Sequence, residues 1–144
     1  MIILKKIIVG ILIVVLLFTL YSCFSKKDSS IENNEECVDL EYEVMDKDEI
    51  PQKVLEKIFE KKEEQATFTF SNGEELYIII CYGAKATGGY SIKVDSLQKS
   101  NNEIVVKTVL IEPKKEEVVT RNTSFPHIVL KTKDLGLDMK FDIK

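Results

Sequence analysis

The sequence predicts a mainly β domain, either an antiparallel β-sandwich or a strongly twisted sheet with one docked amphipathic helix, the alternative being an α+β arrangement. Three observations carry this. From Ala66 onward apolar and polar residues alternate with a period of two. Gly, Asn and Pro punctuate these runs at turn-like intervals. The one helical stripe, at about 50–64, precedes them. A helix followed by roughly five to seven short strands must bury its sheet faces against one another and under that helix.

The helical stripe is Ile50, Val54, Leu55, Ile58 and Phe59, with Lys and Glu on the opposite face. Asp48 is placed to cap it, and Pro51 falls in the first turn, where a missing N–H costs little. Packing on the domain's own sheet satisfies this stripe without any partner. Phe68 and Phe70 alternate with Thr67 and Thr69, and Asn72-Gly73 then marks a hairpin. Leu76–Tyr82 is continuously apolar, too short for a helix and rich in β-branched residues, so it reads as a central strand. Tyr90–Ser96 alternates again, a polar turn falls at Ser100–Glu103, and Ile104–Ile111 is the next strand. Pro113 and the charged run Lys114–Glu117 stop it. Val118–Lys131 reads as a strand interrupted at Pro126, which cannot donate to a ladder. Leu137, Met139, Phe141 and Ile143 alternate to the end.

The chain has 144 residues, of which the first two dozen read as targeting sequence, leaving one domain. Lys5 and Lys6 open it, and Ile7–Leu20 is an apolar run of signal-peptide length. That run is short for crossing roughly 30 Å of hydrocarbon, which takes about 20 residues. It ends in Leu20-Tyr21-Ser22-Cys23, which resembles a bacterial lipobox. The resemblance implies that Cys23 becomes the lipidated N-terminus, holding the protein on the extracytoplasmic face of the cell membrane. The rival reading is an uncleaved single transmembrane anchor. The organisation is therefore a leader at 1–23, a polar tether at 24–37 and one domain at 38–144. Residues 25–36 contain a single aliphatic side chain, Ile31, and cannot bury enough surface to order themselves.

All 24 acidic residues follow Cys23, whereas Lys5 and Lys6 precede it, so the exported part is more acidic than the whole chain's −4. Such a surface does not favour nucleic acid. Trp is absent, His127 is the one His and Arg121 the one Arg. His127 lacks a neighbour at metal-ligand spacing and an orienting carboxylate, so neither a metal site nor a triad emerges. No cofactor and no catalytic residue are expected. Cys37 and Cys81 could pair outside the cell, although a buried thiol suits the apolar strand of Cys81 equally well.

Three of the six glycines crowd into Gly83–Gly89. Gly83 and Gly88 have the first spacing of a Walker loop, but Lys and Ser/Thr do not follow, so phosphate binding is not indicated. The loop is either a tight connection or a contact surface. If the strands simply reverse direction at each connection, this loop shares an end of the domain with Glu112–Glu117. The candidate partner surface is then Lys85, Thr87, Gly88, Gly89 and Tyr90 beside Pro113, Lys114 and Lys115, with Lys85 and Thr87 facing outward.

Gly83, then Thr87-Gly88-Gly89-Tyr90-Ser91-Ile92, Ile104-Val105-Val106-Lys107, Glu112-Pro113, Val118-Val119-Thr120 and Phe125-Pro126-His127-Ile128-Val129 together resemble the C-terminal domain of PrcB-like proteins. Those are lipoprotein subunits of a surface complex with a subtilisin-like protease. The resemblance implies a non-catalytic protein that assembles with a protease, or another surface protein, and stabilises or restrains it. A weaker similarity, to chagasin-type cysteine-protease inhibitors, stops at Thr87-Gly88 and Tyr90. The alternative function is a surface lipoprotein binding a small ligand, a peptide or cell wall, for which a pocket lined by Tyr77, Tyr82 and Tyr90 would be the sign.

Replacing Cys23 with Ala is expected to leave the protein unacylated and unprocessed. Mass spectrometry of the N-terminus after detergent phase partitioning checks this; a wild-type chain still beginning at Met1 would leave only the anchor reading.

Overall fold

In the computed structural model, residues 37–144 are described. The leader with its Cys23, and the tether up to Glu36, lie outside the described residues. Two short strands, β1 (Cys37–Asp39) and β2 (Glu43–Val44), lead to one helix, α1 (Gln52–Lys61). Six strands follow: β3 (Gln65–Ser71), β4 (Glu75–Tyr82), β5 (Ser91–Ser100), β6 (Glu103–Ile111), β7 (His127–Lys133) and β8 (Asp138–Ile143). They form two four-stranded sheets, ordered β1-β5-β6-β8 and β2-β7-β4-β3. The predicted β-sandwich with a docked helix is what forms; every pairing is antiparallel except β6 with β8.

The continuous apolar run of β4 follows from burial on both faces. Leu76, Ile78, Ile80 and Tyr82 point into the core between the sheets, meeting Leu97, Ile104, Val106 and Leu130. Tyr77, Ile79 and Cys81 point the other way, onto Ile50, Val54 and Ile58 of the helical segment. Ile78, Ile79, Ile80 and Cys81 have no solvent exposure at all. Burying each isoleucine contributes about 1.5–3 kcal/mol. Cys81 and Cys37 are both free thiols: Cys81 is sealed under α1, while Cys37 is exposed on β1, an edge strand of the other sheet. Burial pushes the Cys81 thiol up to about 11.

Several boundaries differ from expectation. Cys37, assigned to the tether, opens β1 by pairing with Ser100. The segment behind it, which shows no periodicity, contributes one edge strand to each sheet. Leu40 N–H donates to Leu97 C=O in the first sheet, and Met45 N–H to Val129 C=O in the second. The helix is shorter than 50–64, and its N-cap is Pro51, with no side chain capping it; Asp48 does not take that role. Its buried stripe is Val54 and Ile58, whereas Phe59 is 72% exposed. Val118–Pro126 is not strand, because Pro126 immediately precedes β7 rather than interrupting it. The turns fall where Asn and Gly predict. Asn72 Oδ1 accepts from the N–H groups of Glu74 and Glu75, and Asn101 adopts a φ of 50° between β5 and β6. Among the described residues no helix is long and apolar enough to cross a membrane.

Ile79→Asp is expected to abolish folding. The carboxylate would sit unpaired between β4 and α1, a penalty of several kcal/mol. A circular-dichroism melt of the variant checks this; a transition like the parent's would mean the strand is not buried.

Candidate functional site

Two connections cross between the sheets at one end of the sandwich. The first, residues 83–90, joins β4 to β5; the second, residues 112–126, joins β6 to β7. Pairing of Ser91 with Ile111 brings their roots together. Lys85 and Ser124 exchange two backbone hydrogen bonds, each 2.9 Å. Gly88 N–H donates to Thr120 C=O at 3.0 Å, and Ser124 Oγ–H to Thr87 C=O at 2.6 Å. The first loop is tied on its other side too, where Ala84 N–H donates to Glu63 C=O behind α1.

This packing is why glycines crowd here. Gly89 has a φ of +85°, and a side chain on it would meet Val119 Cγ1 at 2.6 Å and Pro113 Cβ at 3.0 Å. At Gly88 a Cβ would lie 2.5 Å from Thr120 Oγ1. Gly83 combines a φ of +75° with close approach to the backbone of Glu63 and Gln65. The three glycines are therefore required by the way one loop lies on the other.

The structure thus brings Gly88 and Gly89 against the second loop, with Pro113 touching the space at Gly89. Lys114 and Lys115 lie just beyond Pro113 in an exposed turn, where Glu117 N–H donates to Lys114 C=O and the Glu117 carboxylate accepts from Lys114 N–H. Lys85, Thr87 and Tyr90 are half-buried, so the expectation that Lys85 and Thr87 project freely outward is corrected. Both are held through their backbones by Ser124, and the exposed residues of the loop are Ala84, Ala86 and Gly89.

Sequence reasoning missed two features of this end. Val118 is fully exposed at the second loop, because Val118-Val119 read as the start of a strand while only Val119 packs inward, on Gly89. Lys62 lies over two rings, 3.9 Å from the centroid of Phe59 and 4.6 Å from that of Phe125. Contacts of this kind contribute about 0.5–1 kcal/mol at exposed sites. The Lys-aromatic spacing from Phe59 to Lys62 was a readable signal; the Phe125 contact depends on the fold.

The other candidates disperse. Tyr77 faces the helix and donates to the Glu75 carboxylate at 2.9 Å, which holds that carboxyl below its usual range. Tyr82 lies in the sandwich core and donates to Thr108 Oγ1 at 2.8 Å. Being on opposite faces of β4, Tyr77 and Tyr82 do not line a common pocket. His127 opens β7 on the surface, with Nδ1 2.8 Å from the Phe125 carbonyl. Among the described residues no group of three His, Cys, Asp or Glu side chains is arranged to hold a metal ion.

Residues 76–133 match the family model described as PrcB C-terminal. The match supports a PrcB-like C-terminal domain over this stretch. It runs from β4 through β7 and so contains both crossing loops, while β1–β3, α1 and β8 lie outside the match. No curated protein and no solved structure matches the chain.

Gly89→Val is expected to lower the melting temperature clearly, because a β-branched side chain would be forced to positive φ and into Val119 and Pro113. Gly73→Val is the control: its φ is also positive, but nothing lies within 4 Å. Differential scanning calorimetry of the pair should show the larger loss at Gly89, and equal losses would deny the loop–loop packing its role.

Proposed function

We propose that this chain is an exported, lipid-anchored accessory protein without catalysis of its own, which binds a surface or secreted protease and stabilises or restrains it. The single observation that carries the reading is the match of residues 76–133 to the PrcB C-terminal family, whose span includes the two interlocked loops. A subtilisin-like partner follows from the resemblance. The lipobox-like Leu20–Cys23 supports attachment to the extracytoplasmic face of the membrane. The contact surface we assign is the crossing-loop end, built on Gly88, Gly89 and Pro113 and displaying Lys114, Lys115 and Val118 to solvent. Its backbone is already bonded, so docking would order little that is not ordered beforehand. An exposed valine following the charged run Lys114–Glu117 also offers an apolar contact beside a charged rim.

The test is affinity capture of tagged full-length protein from solubilised membranes of its own cells. A protease is expected to co-purify, and Lys115→Glu/Val118→Asp should reduce its recovery several-fold. Both side chains are exposed, so the variant's melting temperature should stay within the error of the parent's. Recovery unaffected by the double substitution would move the contact away from this end, and capture without any protease would refute the function.

A further inference from the structure

The sheets have four edges, and three of them are blunted. Strand β1 has only three residues and β2 only two. Strand β8 carries Asp138, Lys140 and Asp142 along its length. Charges and short length are the usual protections against pairing with another chain. The fourth edge, β3, is seven residues of Gln-Ala-Thr-Phe-Thr-Phe-Ser, with no charge, no proline and no bulge in its pairing to β4.

The direction of its free backbone groups follows from two hydrogen bonds. Asn72 N–H donates to Glu75 C=O at the hairpin, and Tyr82 N–H donates away from β3, to Pro126 C=O. Bonding direction alternates along an antiparallel strand. Phe68 and Phe70 therefore bond inward to Ile79 and Tyr77, their register partners, while the N–H and C=O groups of Thr67 and Thr69 point out of the sheet. Among the described residues no loop or helix backbone bonds to them.

We propose that β3 pairs with β3 of a second copy of this chain, antiparallel about a two-fold axis through Phe68, joining the two β2-β7-β4-β3 sheets into one. The strand is nearly self-complementary about that residue. Thr67 would exchange both hydrogen bonds with Thr69 of the partner subunit, and Phe68 would meet Phe68 of the partner subunit on the helix side. Threonine pairs and aromatic pairs are favourable cross-strand neighbours. The flanks agree: continued pairing sets Glu64 and Glu63 against Asn72 and Gly73 of the partner subunit, which are neutral, so no like charges oppose. The same surface patch serves both copies, as a closed two-fold contact requires. This edge is separate from the match to the PrcB family, which begins at Leu76, so the inference stands apart from the proposed protease contact.

The test uses the full chain in mild detergent, with light scattering after size exclusion giving the protein mass. A dimer is expected, and Thr69→Pro should halve the mass while preserving the circular-dichroism spectrum, since the lost N–H is not bonded within the chain. A second arm does not depend on that variant folding: Thr67→Cys and Thr69→Cys chains, each with Cys37→Ser, are mixed and oxidised. A disulfide-linked dimer should form in the mixture and in neither variant alone, because Thr67 faces Thr69 and not itself. A monomeric parent, a dimer surviving Thr69→Pro, or cross-linking no greater in the mixture than in the separate variants would each overturn the pairing.

Discussion

Everything in this domain hangs on one strand being buried on both faces. Along β4 seven successive side chains, Leu76–Tyr82, alternate between two cores, and beside it Val129 and Leu130 of β7 divide in the same way. The even-numbered residues of β4 require a second sheet and its odd-numbered residues require a helix. A strand with Ile78, Ile79 and Ile80 in sequence cannot sit on the surface of anything in either orientation, so the three-layer arrangement follows from eight residues. The helix is correspondingly modest: two buried side chains and an entry turn at Ile50 suffice to cover Tyr77, Ile79 and Cys81. A helix so short has little stability of its own and forms because the sheet beneath needs cover.

That dependence explains which parts of the fold could be read from the sequence. β4 was legible because its pattern departs from alternation, β5 and β8 because theirs keep to it, and β6 as a β-branched run between a polar turn and Pro113. The hairpins were legible from Asn72-Gly73 and Asn101-Asn102, where particular residues accept unusual backbone angles. The strands β1 and β2 were not. They are short and exposed, with no inward face long enough to leave a period; what orders Cys37–Val44 is hydrogen bonding to β5 and β7, which lie far along the chain. Val118–Pro126 misled for the opposite reason. Its valines look like strand, yet Val119 is consumed in packing on Gly89 and Val118 is left in solvent. Phe59 was grouped with the helical stripe by spacing alone, but at the end of a ten-residue helix it overhangs the sheet and meets Lys62 instead.

The candidate site shows the same division. Its location was legible, because strand parity puts residues 83–90 and 112–117 at one end, and that end is where the loops cross. Its surface was not, because exposure there depends on a threading that no local pattern encodes. Lys85 and Thr87 look like free polar positions, yet Ser124 claims both of their backbones. The glycines make sense only once the second loop is in place: at Gly88 the constraint is proximity to Thr120, at Gly89 both proximity and positive φ.

This loop pair is held in one shape by bonds between its own two halves. Its polar backbone groups are bonded across the two connections, and its one nearby imidazole, His127, meets a carbonyl oxygen rather than a carboxylate. Chemistry needs groups that are poised and unsatisfied, whereas recognition gains from groups already fixed, since a fixed surface loses less entropy on docking. The side chains left outward, Lys114, Lys115 and Val118, are attached to a turn whose base is clamped by Pro113 and Val119 on Gly89. Under the proposed function, the affinity of this surface would depend on the glycines beneath it as much as on the side chains above.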